Sequence, residues 1–433
     1  MQIILNTKEL SSSPLREKAL AIAEAGLTAL DTATVIKNSL KFENNNIYVS
    51  DKIFPILESS KLIVIGVGKC AISAASEVEK ILGDRITSGI VLDVHENTTC
   101  KFKKIKCVTG SHPTPTPKNV EATKEIVAML SGLTHDDLVL FIISGGGSTL
   151  LCLPEEGSVC LDESLIVSEL FRAGASIKEL NTLRKHISLA RGGYLAKYAY
   201  PAHVAALIFS DVPGNDIDFI SSGPTVKDTT TAGDAEAVLS KYQILKKCNM
   251  LHCGLIETPK DDKYFSNVYN YIILSNEHAL QAMSLKAKSL GLRPVIQDTK
   301  LEGEAKIVGE NIAKKIGDAN TGQVFLYGGE TTVVVRGQGR GGRNQELALG
   351  ALKNIQTDTL VLSLASDGKD NGPYAGAIMD QEVLSNSNAQ GLDPQTFLAE
   401  NNASEFFEKS GGLLKTGDTG SNVSDLIIAI KNL

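Results

Sequence analysis

Leu62-Ile-Val-Ile-Gly-Val-Gly-Lys-Cys-Ala71 is the stretch that decides the fold. An unbroken apolar, β-branched run fits a strand buried on both faces, and the Gly-x-Gly turn into an Ala-containing segment fits the start of a helix. Further apolar runs at 90–94, 105–109, 138–143 and 204–209 alternate with helical patterns, which is the rhythm of a parallel sheet with crossover helices. Several of them end in small or polar residues: Gly66-Val-Gly-Lys69, Gly110-Ser-His112, Ser144-Gly-Gly-Gly-Ser148 and Ser210-Asp-Val-Pro-Gly-Asn-Asp216. Ligands of open α/β sheets bind at such C-terminal strand ends, so these turns are the first candidates for a site.

Outward from this core, residues 241–268 carry lysines, Pro259, Asp261 and Asp262 without a clear strand, and the main division is expected there. A first domain is placed at 1–245 and a second at 265–433, the latter built on runs at 271–274, 324–327, 331–335, 360–364 and 425–430. A leading helix at about 15–40 is free to pack on either domain, and no fixed-period repeat is visible.

The chain has 433 residues, 42% apolar and 21% charged, enough for two ordinary globular domains. A formal charge of -7 and a pI near 5.6 argue against nucleic-acid binding, although 339–343 looks superficially like an RGG tract. No apolar run approaches the roughly 18 residues of a membrane span. The N-terminus lacks the basic and long apolar regions of a secretory signal, so a cytoplasmic protein is expected. Seven cysteines, including Cys248 and Cys253 around His252, match no zinc spacing and are expected to be reduced and mostly buried.

The second anion-handling segment is Gly328-Gly-Glu-Thr-Thr-Val-Val-Val-Arg-Gly-Gln-Gly-Arg-Gly-Gly-Arg-Asn-Gln-Glu346. The valines read as a buried strand, Gly337, Gly339, Gly341 and Gly342 as backbone that can approach a ligand, and 344–353 as a helix whose N-terminus faces that ligand. A helix end contributes only about 0.3–1 kcal/mol, whereas binding at 0.1 mM needs about 5 kcal/mol. Glycine loops therefore need help from charge: Lys69, Arg343 and a divalent cation, with a charge-assisted hydrogen bond adding about 1.5–3 kcal/mol. Asp211, Asp216, Glu330, Asp367 and Asp370 supply the hard oxygens that suit Mg²⁺. The segment 174–186 reads as a helix capped by Ser176 and Glu179, carrying Asn181, Arg184, Lys185 and His186.

Gly66, Gly68, Ala71 and Asp93 formally fit the dinucleotide fingerprint, which would make the chain an NAD(P)-dependent hydroxypyruvate reductase or related 2-hydroxy acid dehydrogenase. The turn is not a Walker A loop, because the upstream glycine is absent and Cys70 stands where Ser or Thr is required. A third class is a non-catalytic nucleotide sensor that keeps the loops.

Taken together, Gly66-x-Gly-Lys69, Gly110-Ser-His-Pro113, Ser144–Ser148, Asn181-x-x-Arg-Lys-His186, Ser210-Asp-Val-x-Gly214, Ser222-Gly-Pro-Thr225, Gly328-Gly-Glu-Thr-Thr332 and Gly341-Gly-Arg-Asn-Gln-Glu346 resemble the glycerate 2-kinase family over nearly the whole chain. The second half, with Ser366-Asp-Gly368 and Thr416–Asn422, is similar to that family's MOFRL domain. Thr116, Asn215 and Asp418 depart from the pattern at positions where an acid, Asp and Pro are usual.

The resemblance implies two α/β domains, the first Rossmann-like with a mainly parallel sheet, the second of MOFRL type, with the active site in the cleft between them. It implies ATP-dependent phosphorylation of D-glycerate at the 2-hydroxyl, with glycerate and ATP as small-molecule partners, no nucleic acid or membrane, and a monomer or homodimer. On this reading Lys69, Arg343 and Asp211 are catalytic. Gly66, Gly68, Ser144, Gly145, Gly146, Gly147, Ser148, Gly339 and Gly341 hold the ATP. Ser111, His112, Arg184 and Asn344 bind glycerate, and Glu330 and Asp367 carry Mg²⁺.

Overall fold

The structure, a computed structural model, describes residues 2–95, 101–157, 160–212, 214–251 and 253–432. His252, between the two cysteines noted above, lies outside the described residues. By internal contacts the chain forms two units. The N-terminal unit holds Thr32–Ser210 and Asn215–Ile273; the C-terminal unit holds Met1–Asp31, Asp211–Gly214 and Leu274–Leu433.

The N-terminal unit begins with an antiparallel meander, β1 (Leu40–Glu43), β2 (Asn46–Val49) and β3 (Lys52–Pro55). Its main sheet contains β4 (Leu62–Val67), β5 (Ser88–Asp93), β6 (Ile105–Thr109), β7 (Leu138–Ile143), β8 (His203–Phe209) and β9 (Val268–Leu274), in the order β6-β5-β4-β7-β8-β9. The pairs β4–β5, β5–β6, β4–β7 and β7–β8 are parallel, as the alternation of apolar runs and helices requires. Every residue of β4 and β7 is buried, so these two strands carry the core and bring their C-terminal turns side by side. The order reverses direction at β4, and the turns after β4 and β7 flank that switch point. The division between the units falls at Ile273 because β9 extends this sheet past the polar 241–268 segment.

The C-terminal unit is built on β10 (Arg293–Leu301), β11 (Gln323–Gly329), β12 (Thr359–Ala365), β13 (Gly376–Asp380), β14 (Leu413–Leu414) and β15 (Asp425–Lys431), in the order β10-β11-β15-β12-β13-β14. Only β10–β11 is parallel. The last strand, β15, fills the centre of the sheet, antiparallel to both β11 and β12. Helices Ala305–Gly317 and Arg343–Ala351 pack on one another with glycine at the contact: a side chain on Gly309 would strike the Leu347 backbone.

Two expectations are corrected. The valine run 331–335 is no strand: Thr332 makes one bridge to Glu304, and Val334 and Val335 are 46% and 75% exposed. β-branching favours extended backbone, but no neighbouring strand offers a ladder there. The leading helix is two helices, Pro14–Thr28 and Thr32–Ser39, in different units. The break coincides with the Leu30 carbonyl accepting from Ser421 Oγ at 2.7 Å. Among the described residues no single helix is long and apolar enough to cross a membrane.

Candidate active site

In the N-terminal unit the sheet delivers three turns to one place. Gly68 has φ 119°, and a β-carbon on it would collide with Ser144, so the turns after β4 and β7 touch through bare backbone. Lys69 N–H donates to Gly145 O at 3.0 Å, and Cys70 N–H to Ser144 Oγ at 3.3 Å. Gly146 has φ 85°, and the position of its missing β-carbon is 3.4 Å from Lys69 Cγ and 3.5 Å from His112 Cδ2. Lys69 and His112 thus stand against the same glycine. Ser221 Oγ donates to Ser144 O at 2.9 Å, and the Ser148 and Ser222 hydroxyls meet at 2.9 Å, which fixes the outer side of the loop.

Electrostatics agrees with the geometry. The His112 ring reaches solvent, yet burial of its inner face, then Lys69, then Arg184, push its pKa below the ordinary histidine value. Three basic side chains therefore share one field in this unit, which is an arrangement for receiving an anion. Arg184 comes from helix Ile177–Lys185, whose Ser176–Glu179 capping box is as the sequence predicts. Asn181 and Lys185 on that helix, and His186 after it, turn inward. Buried Lys185 pairs with Asp218 at 2.6 Å and Asp228 at 2.7 Å, and Asn181 Nδ2 donates to Asp218 O. His186 is fully buried between Ile256 O and Thr230 Oγ1, and burial is overcome at Asp228 by His186 and Lys185, which hold its carboxyl well below the usual range.

The C-terminal unit holds Arg343 in a half-buried ion pair. Its Nε and Nη2 meet Asp425 at 2.6 and 3.0 Å, and Nη2 also reaches Glu330 at 2.9 Å. Burial works against the charge, but the Asp425 hydrogen bonds outweigh it and raise the guanidinium's pKa, so Arg343 stays cationic. Asp211 follows β8, and its carbonyl accepts from Ser424 Oγ at 2.9 Å. Asp425, 82 positions from Arg343 in sequence, reads only as a strand residue; an acid directly before the apolar run 426–430 is its one signal.

Several expected contacts are corrected. Asn344 is 1% exposed and spent on Asp370 and on the Ser363 hydroxyl, which leaves it no reach toward glycerate. Gly66 lies inside β4, packed against Val91 and Ala71. Gly339 and Gly341 permit the loop to lie on 400–404: Gly339 N–H donates to Glu400 O, and Ser404 N–H to Arg340 O. The N-terminus of helix Arg343–Ala351 is already satisfied, because Asp370 accepts from Asn344 N–H at 3.0 Å and Gln345 N–H at 2.8 Å. Asp370 is a buried cap, and burial pushes its carboxyl pKa up.

The donor set does not fit a resident metal. Glu330 is held by Arg343, Asp367 Oδ1 accepts the Lys369 N–H, and among the described residues no group of three or more His, Cys, Asp or Glu could hold an ion. The dinucleotide reading also fails on geometry. Asp93 is 1% exposed and caps helix Ala71–Leu82, accepting Ile72 N–H and His95 N–H at 3.0 Å. Its carboxylate occupies the helix end where a pyrophosphate would sit and is turned from any ribose.

Two family models match the chain. Residues 18–251 match the family described as a domain of unknown function, DUF4147, and residues 323–425 match the MOFRL family. The chain is 37% identical to the glycerate 2-kinase of Pyrococcus horikoshii, over 96% of this chain and 97% of that one. The crystal structure of glycerate kinase from Thermotoga maritima superposes with a TM-score of 0.85 at 33% identity, covering 96% of this chain and 99% of that chain. An Agrobacterium vitis relative provisionally named a hydroxypyruvate reductase is 35% identical over 84% of this chain and 86% of that one.

Proposed function

The chain belongs to the glycerate 2-kinase family, and from that premise we propose how its side chains share the chemistry. The reaction is transfer of a phosphoryl group from ATP to the 2-hydroxyl of D-glycerate, giving 2-phosphoglycerate and ADP. Phosphoryl transfer requires little covalent work of a protein; alignment of the two oxygens and neutralisation of the moving charge make up most of the catalysis.

We assign the Ser144–Ser148 loop, Gly68 and Lys69 to the phosphate oxygens, with Lys69 following the group as it moves. Ser111, His112 and Arg184 are assigned to glycerate, whose carboxylate needs donors beside a neutral imidazole. Arg343 is assigned to the transferring group through Nη1, because Nε and Nη2 are engaged by Asp425 and Glu330. Asp211 is assigned to orienting the 2-hydroxyl. The observation that carries the scheme is the approach of Lys69 and His112 to the same bare glycine, Gly146. Lys69→Met should lower kcat by about 10²–10³ while the thermal melt stays in place. Near-normal turnover in that variant would sink the scheme.

We place the divalent cation with the nucleotide rather than on the chain, because Glu330 is engaged by Arg343 and Asp367 Oδ1 by the Lys369 N–H. Rate should then follow the concentration of the metal–ATP complex, and a chelator-dialysed enzyme should contain no metal. Stoichiometric metal surviving dialysis would overturn this placement.

A further inference from the structure

Asn119 has no exposed surface and sits in the first turn of helix Pro117–Met129, behind the Ser111 backbone and itself assigned to no substrate. Its side-chain amide nonetheless joins three segments. Oδ1 accepts Ser111 N–H at 2.9 Å and Thr116 N–H at 3.2 Å; Nδ2 donates to Ser111 O at 3.0 Å and to Thr149 O at 3.2 Å. Both backbone groups of Ser111 are therefore held by one amide, and His112 begins at the carbonyl so held. The same amide fastens Thr149, the residue after Ser148 in the glycine loop. A weaker second tie joins the segments, Thr149 Oγ1 to Pro113 O at 3.4 Å.

We propose that Asn119 is a positioning residue for phosphoryl transfer, setting the His112 turn and the Ser144–Ser148 loop at a fixed separation so that both meet glycerate and phosphate together. The inference rests on the assignment of His112 and that loop to the substrates. Only an amide can do this, because the acceptor arm serves the helix end and the Ser111 N–H while the donor arm reaches the Ser111 and Thr149 carbonyls. A buried carbonyl that loses its donor is costly, so the loops would move apart to find water.

The geometry supplies a selective variant. Asn119→Asp keeps the acceptor arm, which also suits a helix N-terminus, and replaces the donor arm by a carboxylate oxygen that repels the Ser111 and Thr149 carbonyls. The fold should survive, whereas kcat/KM for glycerate should fall by about tenfold or more, the cost expected when a reacting group is misplaced by a fraction of an ångström. A second readout separates positioning from structure. The imidazole of His112 is held below its ordinary pKa by burial and by the two cationic groups facing it, Lys69 and Arg184. Released from the clip, it should titrate closer to the ordinary histidine value in an NMR pH series.

Thr149→Val, which removes the second tie, should move both readouts in the same direction by less, and serves if Asn119→Asp does not fold. Wild-type kcat/KM and an unmoved His112 titration in whichever variant folds would overturn the positioning role. His112→Ala tests the underlying assignment separately. Full activity there would refute the substrate role of His112, whereas a fall there beside a silent Asn119→Asp would refute the clip alone.

Discussion

His112 shows what a single side chain gains from its surroundings. Because its folded pKa lies below the ordinary value of about 6.5, the ring is neutral at pH 7 and can give or take a hydrogen bond without adding a third charge to those of Lys69 and Arg184. The sign follows: the folded state binds fewer protons than the unfolded chain, so stability increases with pH through the window below about 6.5 and is lost as pH falls. The acid limb of a kcat/KM profile should accordingly lie below pH 6.5, and should disappear in His112→Gln. A limb above 6.5 would contradict the depressed value. Lys69, His112 and the glycine loop stood out in the sequence as candidates because a lysine, a histidine and a run of glycines at strand ends are residue types suited to an anion. Asp425 and Asn119 did not, since an ion pair 82 positions long and a buried amide clip leave no local spacing to read.

Among the elements, the two helices expected to offer free N-termini to phosphate both carry a carboxylate there already, Asp93 on Ala71–Leu82 and Asp370 on Arg343–Ala351. The motif of glycine turn before helix is the same whether the helix end meets a ligand or an acid from elsewhere in the fold, the end of β5 for Asp93 and the turn after β12 for Asp370, so the sequence reads both ways. Asp370→Ala should cost about 3 kcal/mol, the loss of a cap together with buried donors left unpaired, measured by denaturant melts. A change under about 0.5 kcal/mol, the range of an ordinary surface substitution, would show that the cap is idle. Strands buried on both faces were found readily, and with them the parallel pairing of the first sheet, but the antiparallel direction of β15 in the second was not, because an all-apolar run without a crossover helix looks alike in either sense. The β1–β2 hairpin did carry a signal that went unread: Asn44 and Asn45, with φ 51° and 58°, form the left-handed two-residue turn that Asn favours.

At the scale of the molecule, the C-terminal unit is assembled from both ends of the chain. Helix Pro14–Thr28 packs on helix Asn276–Ser289 and on β15 and β12, with Leu20, Ile22 and Leu27 buried and a side chain on Gly26 excluded by Met283. Arg16, nearly fully buried, pairs with Asp380 and Glu382. Deleting residues 2–31 should therefore abolish hydrogen-exchange protection in β12 and β15 while β4 and β7 keep theirs. Uniform protection would show that the helix is an ornament. The sequence left this helix free to join either partner because its apolar stripe fits any sheet face, and only the three-dimensional arrangement chooses.

The central place of β15 has a further consequence, in time. A ribosome adding about 5–20 residues per second needs roughly 20–80 seconds to travel the 400 or so residues from helix Pro14–Thr28 to β15. Until helix Asn276–Ser289 follows it the helix has its oily stripe uncovered, and only β15 completes that cover, while the parallel sheet made in between is already free to close. Newborn chains should accordingly be captured by a holdase at their first thirty residues, and let go only when residue 431 emerges.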